Sequence, residues 1–411
     1  MNKYKLNNGI KVLEYNLDSL NSLYIAVIVK VGSRNETEEV AGLSHFLEHI
    51  LFKGTKKYPN PFDLVRTIDI MGAHYNAFTS KDHTCYYMEI SKNYFEKTVK
   101  ILKEMIFNSL FNKEEINKEI NVVIEELKKR LDIPDYFINL KLYKLLFDNN
   151  SLGRSVGGYE KVISGLNKDI VVDYYKQYYQ PNNISILIAG NIPKNSKELI
   201  KTHFDIKVEP YKISKNEFKN FKITQDKSRL KVYNNKNNQS NLLIGFPLNF
   251  GHNSKKVNIL ELFSNILGGS MSSILFMEIR EKLGLCYTIN CGVDIFDDTG
   301  LFKINTGCKE ENIKKIIIEI KKILNNLITD GISKKNYDDG KNNLINKFMV
   351  SIDNLESLGY YYLDKLVYAD FDNINDHNDY INNMKNINIK EVNNIIKEVI
   401  NFDKINIVIV N

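Results

Sequence analysis

Residues 42–55 read Gly42-Leu43-Ser44-His45-Phe46-Leu47-Glu48-His49-Ile50-Leu51-Phe52-Lys53-Gly54-Thr55, two imidazoles and a carboxylate set in an apolar run. On a helix, at about 100° per residue, His49 stands about 40° around from His45 and one turn along. Glu48 lies about 60° to the other side, so the three groups share an arc of about 100°. Leu43, Phe46, Leu47, Ile50, Leu51 and Phe52 leave such a helix little exposed face. A carboxylate buried there without a partner is costly, so the pattern calls for one.

A metal ion answers that need. Zinc takes neutral imidazole and carboxylate donors, and a catalytic zinc site keeps a fourth position for water. His45 and His49 then supply two ligands, and Glu48, beside the water, is placed as general base. H-x-x-E-H is also the inverse of the H-E-x-x-H zinc motif. A third protein ligand must come from elsewhere, and "NKEEINKEINVVIEELKKRL" (112–131) is the best candidate segment. With Ile116 at 0°, the apolar stripe of Ile120, Val123, Leu127 and Leu131 stays between about 340° and 60°. Glu126 at about 280° and Glu119 at about 300° edge that stripe, whereas Glu125 at about 180° faces away. The wheel selects Glu126 as ligand and places Glu119, two turns earlier, as a second carboxylate near the site. His74 and His83 are the nearest candidates for a fourth ligand, but both read as polar residues of a strand region.

Working outward, the chain reads as an α+β unit made twice. Residues 3–32 read as strands, with a hairpin signal at Asn8-Gly9. Helices follow at 41–53 and from Pro61 to Gly72, "AHYNAFTS" and "TCYYMEIS" alternate as paired strands, and helical patterns cover 92–110, 112–131 and 134–148. "NNISILIAGNI" (182–192) is a closing strand, and polar 193–226 is a linker. The order then repeats: "NLLIGFPL" as a strand, 255–282 helical, "LCYTINCGVDIF" and "GLFKINTGC" as strands, 311–328 and 333–368 helical, and "KINIVIV" to close. The near-constant offset between matching elements points to an internal duplication. The expectation is two similar α/β-sandwich halves, each a mostly antiparallel sheet with helices packed on it: 1–192 with the metal site, a linker 193–226, and 227–411 without H-x-x-E-H.

Bulk properties bound the class. The 411 residues are 43% hydrophobic and 26% charged, ample for two buried cores. A net charge of +6 with Lys and Glu interspersed reads as a solvated surface, not a nucleic-acid or membrane face. Cys85, Cys286, Cys291 and Cys308 form no CxxC, which fits a reducing compartment. No signal-peptide core or 18-residue apolar run is present, so a cytoplasmic location is expected.

The ordered set "KVGSRNE", "GLSHFLEHILFKGT", "NAFTSKDHTCYY", "INVVIEEL", "LGRSVGG", "LIAGNI" and "LGGSMSSILFMEIREKLGLCY" resembles the M16, or pitrilysin, family of zinc metallopeptidases over nearly the whole chain. Within it the chain is similar to the processing-peptidase branch, M16B. The resemblance implies one Zn2+ on His45, His49 and Glu126, Glu48 as base and Glu119 as an additional active-site glutamate. It implies that Asn76 and Ala77 lie where an edge strand pairs with an extended substrate, by main-chain hydrogen bonds that ignore side-chain identity. From the second half it implies an Arg280/Tyr287 pair able to polarise the scissile carbonyl, and Gly268-Gly269 in a glycine-rich loop whose usual third glycine is Ser270 here.

A second departure is that the acidic positions which help such enzymes read a substrate arginine hold Tyr136 and Leu140. Arginine preference is therefore not carried over. The expected function is a zinc endopeptidase acting on peptides or unfolded segments. A homodimer is expected, with a heterodimer with an inactive M16 chain as the other possibility, and no nucleic-acid or membrane partner. The competing reading is a non-catalytic M16-like scaffold or substrate-binding subunit; such chains typically lose the metal motif, which is complete here.

Overall fold

The computed structural model describes residues 1–148, 150–209, 221, 223–234 and 239–411. In chain order the strands and helices of the first half are β1 (Asn2–Lys5), β2 (Lys11–Asn16), β3 (Ser22–Val29), α1 (Leu43–Ile50), α2 (Pro61–Asp69), β4 (His74–Thr79), β5 (Thr84–Ser91), α3 (Phe95–Phe107), α4 (Lys113–Leu131), α5 (Pro134–Leu146), α6 (Glu160–Ile163), α7 (Lys168–Tyr178), β6 (Ile184–Gly190) and α8 (Ser196–Phe204). The second half gives β7 (Arg229–Tyr233), β8 (Ser240–Leu248), α9 (Lys256–Gly268), β9 (Cys286–Ile295), β10 (Gly300–Cys308), α10 (Ile313–Asp330), α11 (Lys334–Ser351), α12 (Leu355–Tyr368), α13 (His377–Asn386), α14 (Ile389–Val399) and β11 (Asn406–Val410).

The duplication is written in the sheets. The first has the order β1-β2-β6-β3-β5-β4 and the second β7-β11-β8-β10-β9. Among the described residues each contains a single parallel pair, β2 with β6 and β7 with β11, and is otherwise antiparallel. Element for element, β4 therefore corresponds to β9, and both are edge strands.

Two compact units result, and neither is contiguous in sequence. The first holds Met1–Lys129, Arg154–Phe218 and Ser351–Ile374; the second holds Arg130–Gly153, Lys219–Val350 and Asn375–Asn411. In the first unit, alternate residues of β3 serve two cores. Leu23, Ile25, Val27 and Val29 meet Phe46 of α1 and Val99 and Leu102 of α3. Tyr24, Ala26 and Ile28 meet Leu358, Tyr362 and Leu366 of α12. A sheet covered on both faces needs apolar residues at every position, which is why "SLYIAVIV" runs without polar alternation. The second unit repeats the plan: Leu242, Ile244 and Phe246 of β8 face α9, while Leu243 faces Ile138, Leu142 and Leu146 of α5. The helix covering the far face of each sheet thus comes from the other half of the sequence, a departure from the contiguous division expected at 193–226.

Other boundaries move for local reasons. The expected linker contains α8, whose Ile200 and Phe204 are buried in the first core; its residues 210–220 and 222 lie outside the described residues. The single helical pattern at 333–368 is two helices, because the Asn354 side chain accepts from the Ser357 N–H at 3.0 Å and starts α12 anew. Among the described residues no helix is long and apolar enough to cross a membrane.

Candidate metal centre

Helix α1 begins without a side-chain cap of its own. Gly42 precedes it at φ 98°, a left-handed backbone that glycine adopts freely. A Cβ there would lie 2.5 Å from the Gly157 carbonyl oxygen, and one on Gly158 would collide with the Ala41 carbonyl, so the 154–158 loop can press on the helix start only because Gly42 and Gly158 are glycine. The open N–H groups go to Glu36, whose carboxylate accepts from Gly42 N at 2.7 Å and Ser44 N at 2.8 Å. Glu36 is only 4% exposed. Burial pushes its carboxyl up to about 7, against the two N–H bonds that favour the anion. Below this cap, Leu43, Phe46, Leu47 and Ile50 enter the core and fix how the histidines point.

His45 and His49, one turn apart, have ring centroids 4.7 Å apart. Helix α4 brings Glu126 to both: Oε1 is 3.8 Å from His45 Nε2 and Oε2 is 3.4 Å from His49 Nε2. One donor atom from each of the three residues lies within 4.8 Å of the others. Ligand atoms of a tetrahedral zinc, at roughly 2.05 Å from the ion, lie roughly 3.3 Å apart, so this set needs little adjustment. Two imidazoles and one carboxylate also leave the fourth position that a catalytic zinc site requires. The Glu126 side chain is 27% exposed and turned to the histidines, while Glu125 is 75% exposed and pairs with Lys128 at 3.1 Å.

Glu119, 3% exposed, sits behind His49. Its Oε1 is 2.8 Å from His49 Nδ1, on the far side of the ring from Glu126, and its Oε2 is 2.8 Å from Lys53 Nζ. In the absence of metal, burial alone would lower the His49 pKa, but bonds to Glu119 and Glu126 lift it to about 9. Burial acts to raise the Glu119 carboxyl, and its bonds to His49 and Lys53 outweigh that and hold it low.

Glu48 faces the edge of the sheet, where Thr79 Oγ1 of β4 donates to its Oε2 at 2.6 Å. A cavity of about 310 Å³ lies here, lined by Glu48, His49, Phe52, Tyr75, Ala77 and Glu119 among others. One wall is β4, which pairs with β5 on one side and ends the sheet on the other. Ala77 N donates to Asn76 Oδ1 at 2.9 Å, so it does not serve the ladder and points to the open edge. His74 is exposed and His83 Nδ1 meets Ser80 Oγ at 2.9 Å; neither joins the ligand group.

The remaining expected residues belong to the second unit. Arg280 lies in the π-helical turn Phe276–Glu281, its guanidinium 4.4 Å from the Phe276 ring centroid. Tyr287 is 72% exposed, and the sheet explains why. Ile289, Cys291, Val293 and Ile295 alternate toward the core, a period that would bury Tyr287. A β-bulge intervenes: Gly307 pairs with Thr288 and Cys308 with Cys286, so Tyr287 is the extra residue and turns outward. Gly268 allows close packing on β9, since a Cβ there would lie 2.5 Å from Cys291 Sγ; at Gly269 a Cβ would collide with Asn265. Tyr136 and Leu140 lie on α5. Glu36, Lys53 and Thr79 were not singled out by the sequence reading, although Lys53, four residues beyond His49, carries a visible signal.

Duplicated α+β units with a two-histidine, one-glutamate group in one copy define a metallopeptidase class. Residues 12–159 match the family model described as insulinase (peptidase family M16), and residues 165–344 match the peptidase M16 inactive domain. The chain belongs to the M16 peptidase family. It is 33% identical over 359 residues to the uncharacterized zinc protease YmxG of Bacillus subtilis (strain 168), covering 86% of this chain and 85% of that one. An uncharacterized zinc protease of Rickettsia bellii (strain RML369-C) is 32% identical over 320 residues, 78% of this chain and 76% of the relative. Among solved structures, a protease from Helicobacter pylori superposes with a TM-score of 0.91 at 22% identity, covering 100% of this chain and 99% of that one.

Proposed function

We propose that this chain is a zinc-dependent endopeptidase of the processing-peptidase type, acting on peptides or unfolded segments held as an added strand on β4. The observation that carries this reading is the convergence of His45, His49 and Glu126 from two helices, with Glu48 alongside and the free edge of β4 next to it. His45, His49 and Glu126 would hold a zinc ion, which would supply Lewis acidity and ease loss of a proton from water at neutral pH. The backbone of an extended peptide takes over the Ala77 N–H from the Asn76 side chain, and further main-chain bonds hold it in register. Glu48 takes a proton from the attacking water as its oxygen adds to the peptide carbonyl carbon. It then delivers that proton to the departing amine nitrogen as the C–N bond breaks. The Thr79 hydroxyl donates to one Glu48 oxygen and orients the carboxylate for this work. Arg280 and Tyr287 are read as donors to the carbonyl oxygen on the family resemblance, as is assembly into a homodimer.

The test is zinc content together with cleavage of an unstructured fluorogenic peptide, compared with Glu48→Gln. The variant is expected to keep its zinc and to lose hydrolysis by about 10²–10⁴-fold. Cleavage by the variant at the wild-type rate removes Glu48 from the mechanism, and a wild-type chain that takes up no zinc returns the reading to a non-catalytic scaffold.

A further inference from the structure

We propose that Lys53 is a positioning residue of the metal centre, acting through Glu119 on His49; this rests on the zinc-peptidase reading above. The two oxygens of the buried Glu119 carboxylate are divided between two partners, Oε1 with His49 Nδ1 and Oε2 with Lys53 Nζ, each at 2.8 Å. An imidazole N–H alone would leave a full negative charge buried beside it, a state that desolvation penalises. The Lys53 ammonium, donating to Oε2, balances that charge and holds the carboxylate with Oε1 turned to the ring. An acceptor at Nδ1 demands the tautomer with hydrogen on Nδ1. The lone pair is then on Nε2, the nitrogen that faces Glu126 at 3.4 Å.

The connection is short and held to the same helix as the ligands. Lys53 N donates to the Ile50 carbonyl at 2.9 Å in the turn that ends α1, so the ammonium is tethered to the backbone that carries both histidines. Its side chain is 31% exposed on the cavity wall, so its stem is not a core element, and methionine can replace that stem without opening a hole. The ammonium lies 2.8 Å from Glu119 Oε2, and the comparison with a Glu119 variant separates a positioning role from a substrate-binding one.

The experiment compares Lys53→Met and Lys53→Arg with wild type, and repeats Lys53→Met in a Glu119→Gln background. Zinc affinity is read by competition with a chromophoric chelator, and kcat and KM on the fluorogenic peptide. K53M is expected to weaken zinc binding about tenfold, to lower kcat with KM within about twofold, and to be largely rescued by K53R. In the E119Q background the same change should have almost no further effect, since the intermediary is gone. The proposal falls if K53M keeps wild-type zinc affinity, if it changes KM alone, or if its cost is undiminished beside E119Q. Loss of thermal stability with unchanged zinc affinity would mark a merely structural lysine and also overturns it. A wild-type chain without zinc sinks the metallopeptidase reading and this proposal together; normal uptake with an unaffected K53M sinks this proposal alone.

Discussion

Glu36 caps the helix that carries His45 and His49. It was not legible in the sequence, because capping Gly42 and Ser44 from outside the helix depends on a loop whose path only tertiary structure fixes. Its carboxyl is raised to about 7 by burial, whereas the unfolded chain titrates near the ordinary 4.5. Between those values the native state holds the proton more tightly, so this contribution to stability is full below about pH 4.5 and fades as pH rises through about 7. Glu36→Gln, which fixes the neutral form, should therefore flatten that decline: the wild type should lose stability relative to the variant between pH 5 and 8 in urea melts. Equal slopes would show that Glu36 titrates normally. Glu126, by contrast, was legible, because an amphipathic wheel orders neighbours by angle, and the exposures of Glu125 and Glu126 follow that order.

Elements were legible where side-chain periodicity was strong and lost where it was weak. The β4 and β5 pair, α4 and the closing strands were all visible. Strand β7 was not, although Arg229, Leu230, Lys231 and Val232 alternate: it is only five residues long, and the edge leaves Leu230, Lys231 and Val232 all exposed. The bulge at Tyr287 was equally hidden, because a register shift is a property of two strands and not of one. For β4 the edge position carries a prediction. Ala77→Pro removes an N–H that the ladder does not use, and proline is tolerated on strand edges, so the fold and zinc content should survive at a cost of about 1 kcal/mol or less. KM for the peptide should rise at least about tenfold, as a main-chain bond worth about 1 kcal/mol is lost and the ring blocks the approaching strand. An unchanged KM would place the substrate elsewhere.

At the scale of the molecule, the duplication could be read from the spacing of elements, but the exchange of α5 and α12 could not. An amphipathic stripe says which side of a helix is apolar and is silent about which sheet it will cover. Helix α12 buries Leu355, Leu358, Tyr362, Leu363, Leu366 and Val367 against the first sheet. At about 1.5–3 kcal/mol each, their burial rivals the roughly 5–15 kcal/mol that holds a whole domain folded. Fragments 1–209 and 221–411 made separately should therefore each bind a hydrophobic dye and melt without a cooperative transition, while the two expressed together should recover a zinc-binding complex. A cooperative fold for 1–209 alone would show that α12 is dispensable.

The same exchange sets a timetable on the ribosome. When β6 completes the first sheet, the helix destined for its far side is still roughly 165 residues from being synthesised, which at about 5–20 residues per second is roughly 8–33 seconds. For that interval the nascent chain presents Leu13, Ala26, Ile28, Leu187 and Ala189 uncovered. A chaperone that shields such a face during translation would matter more for this protein than its modest size suggests.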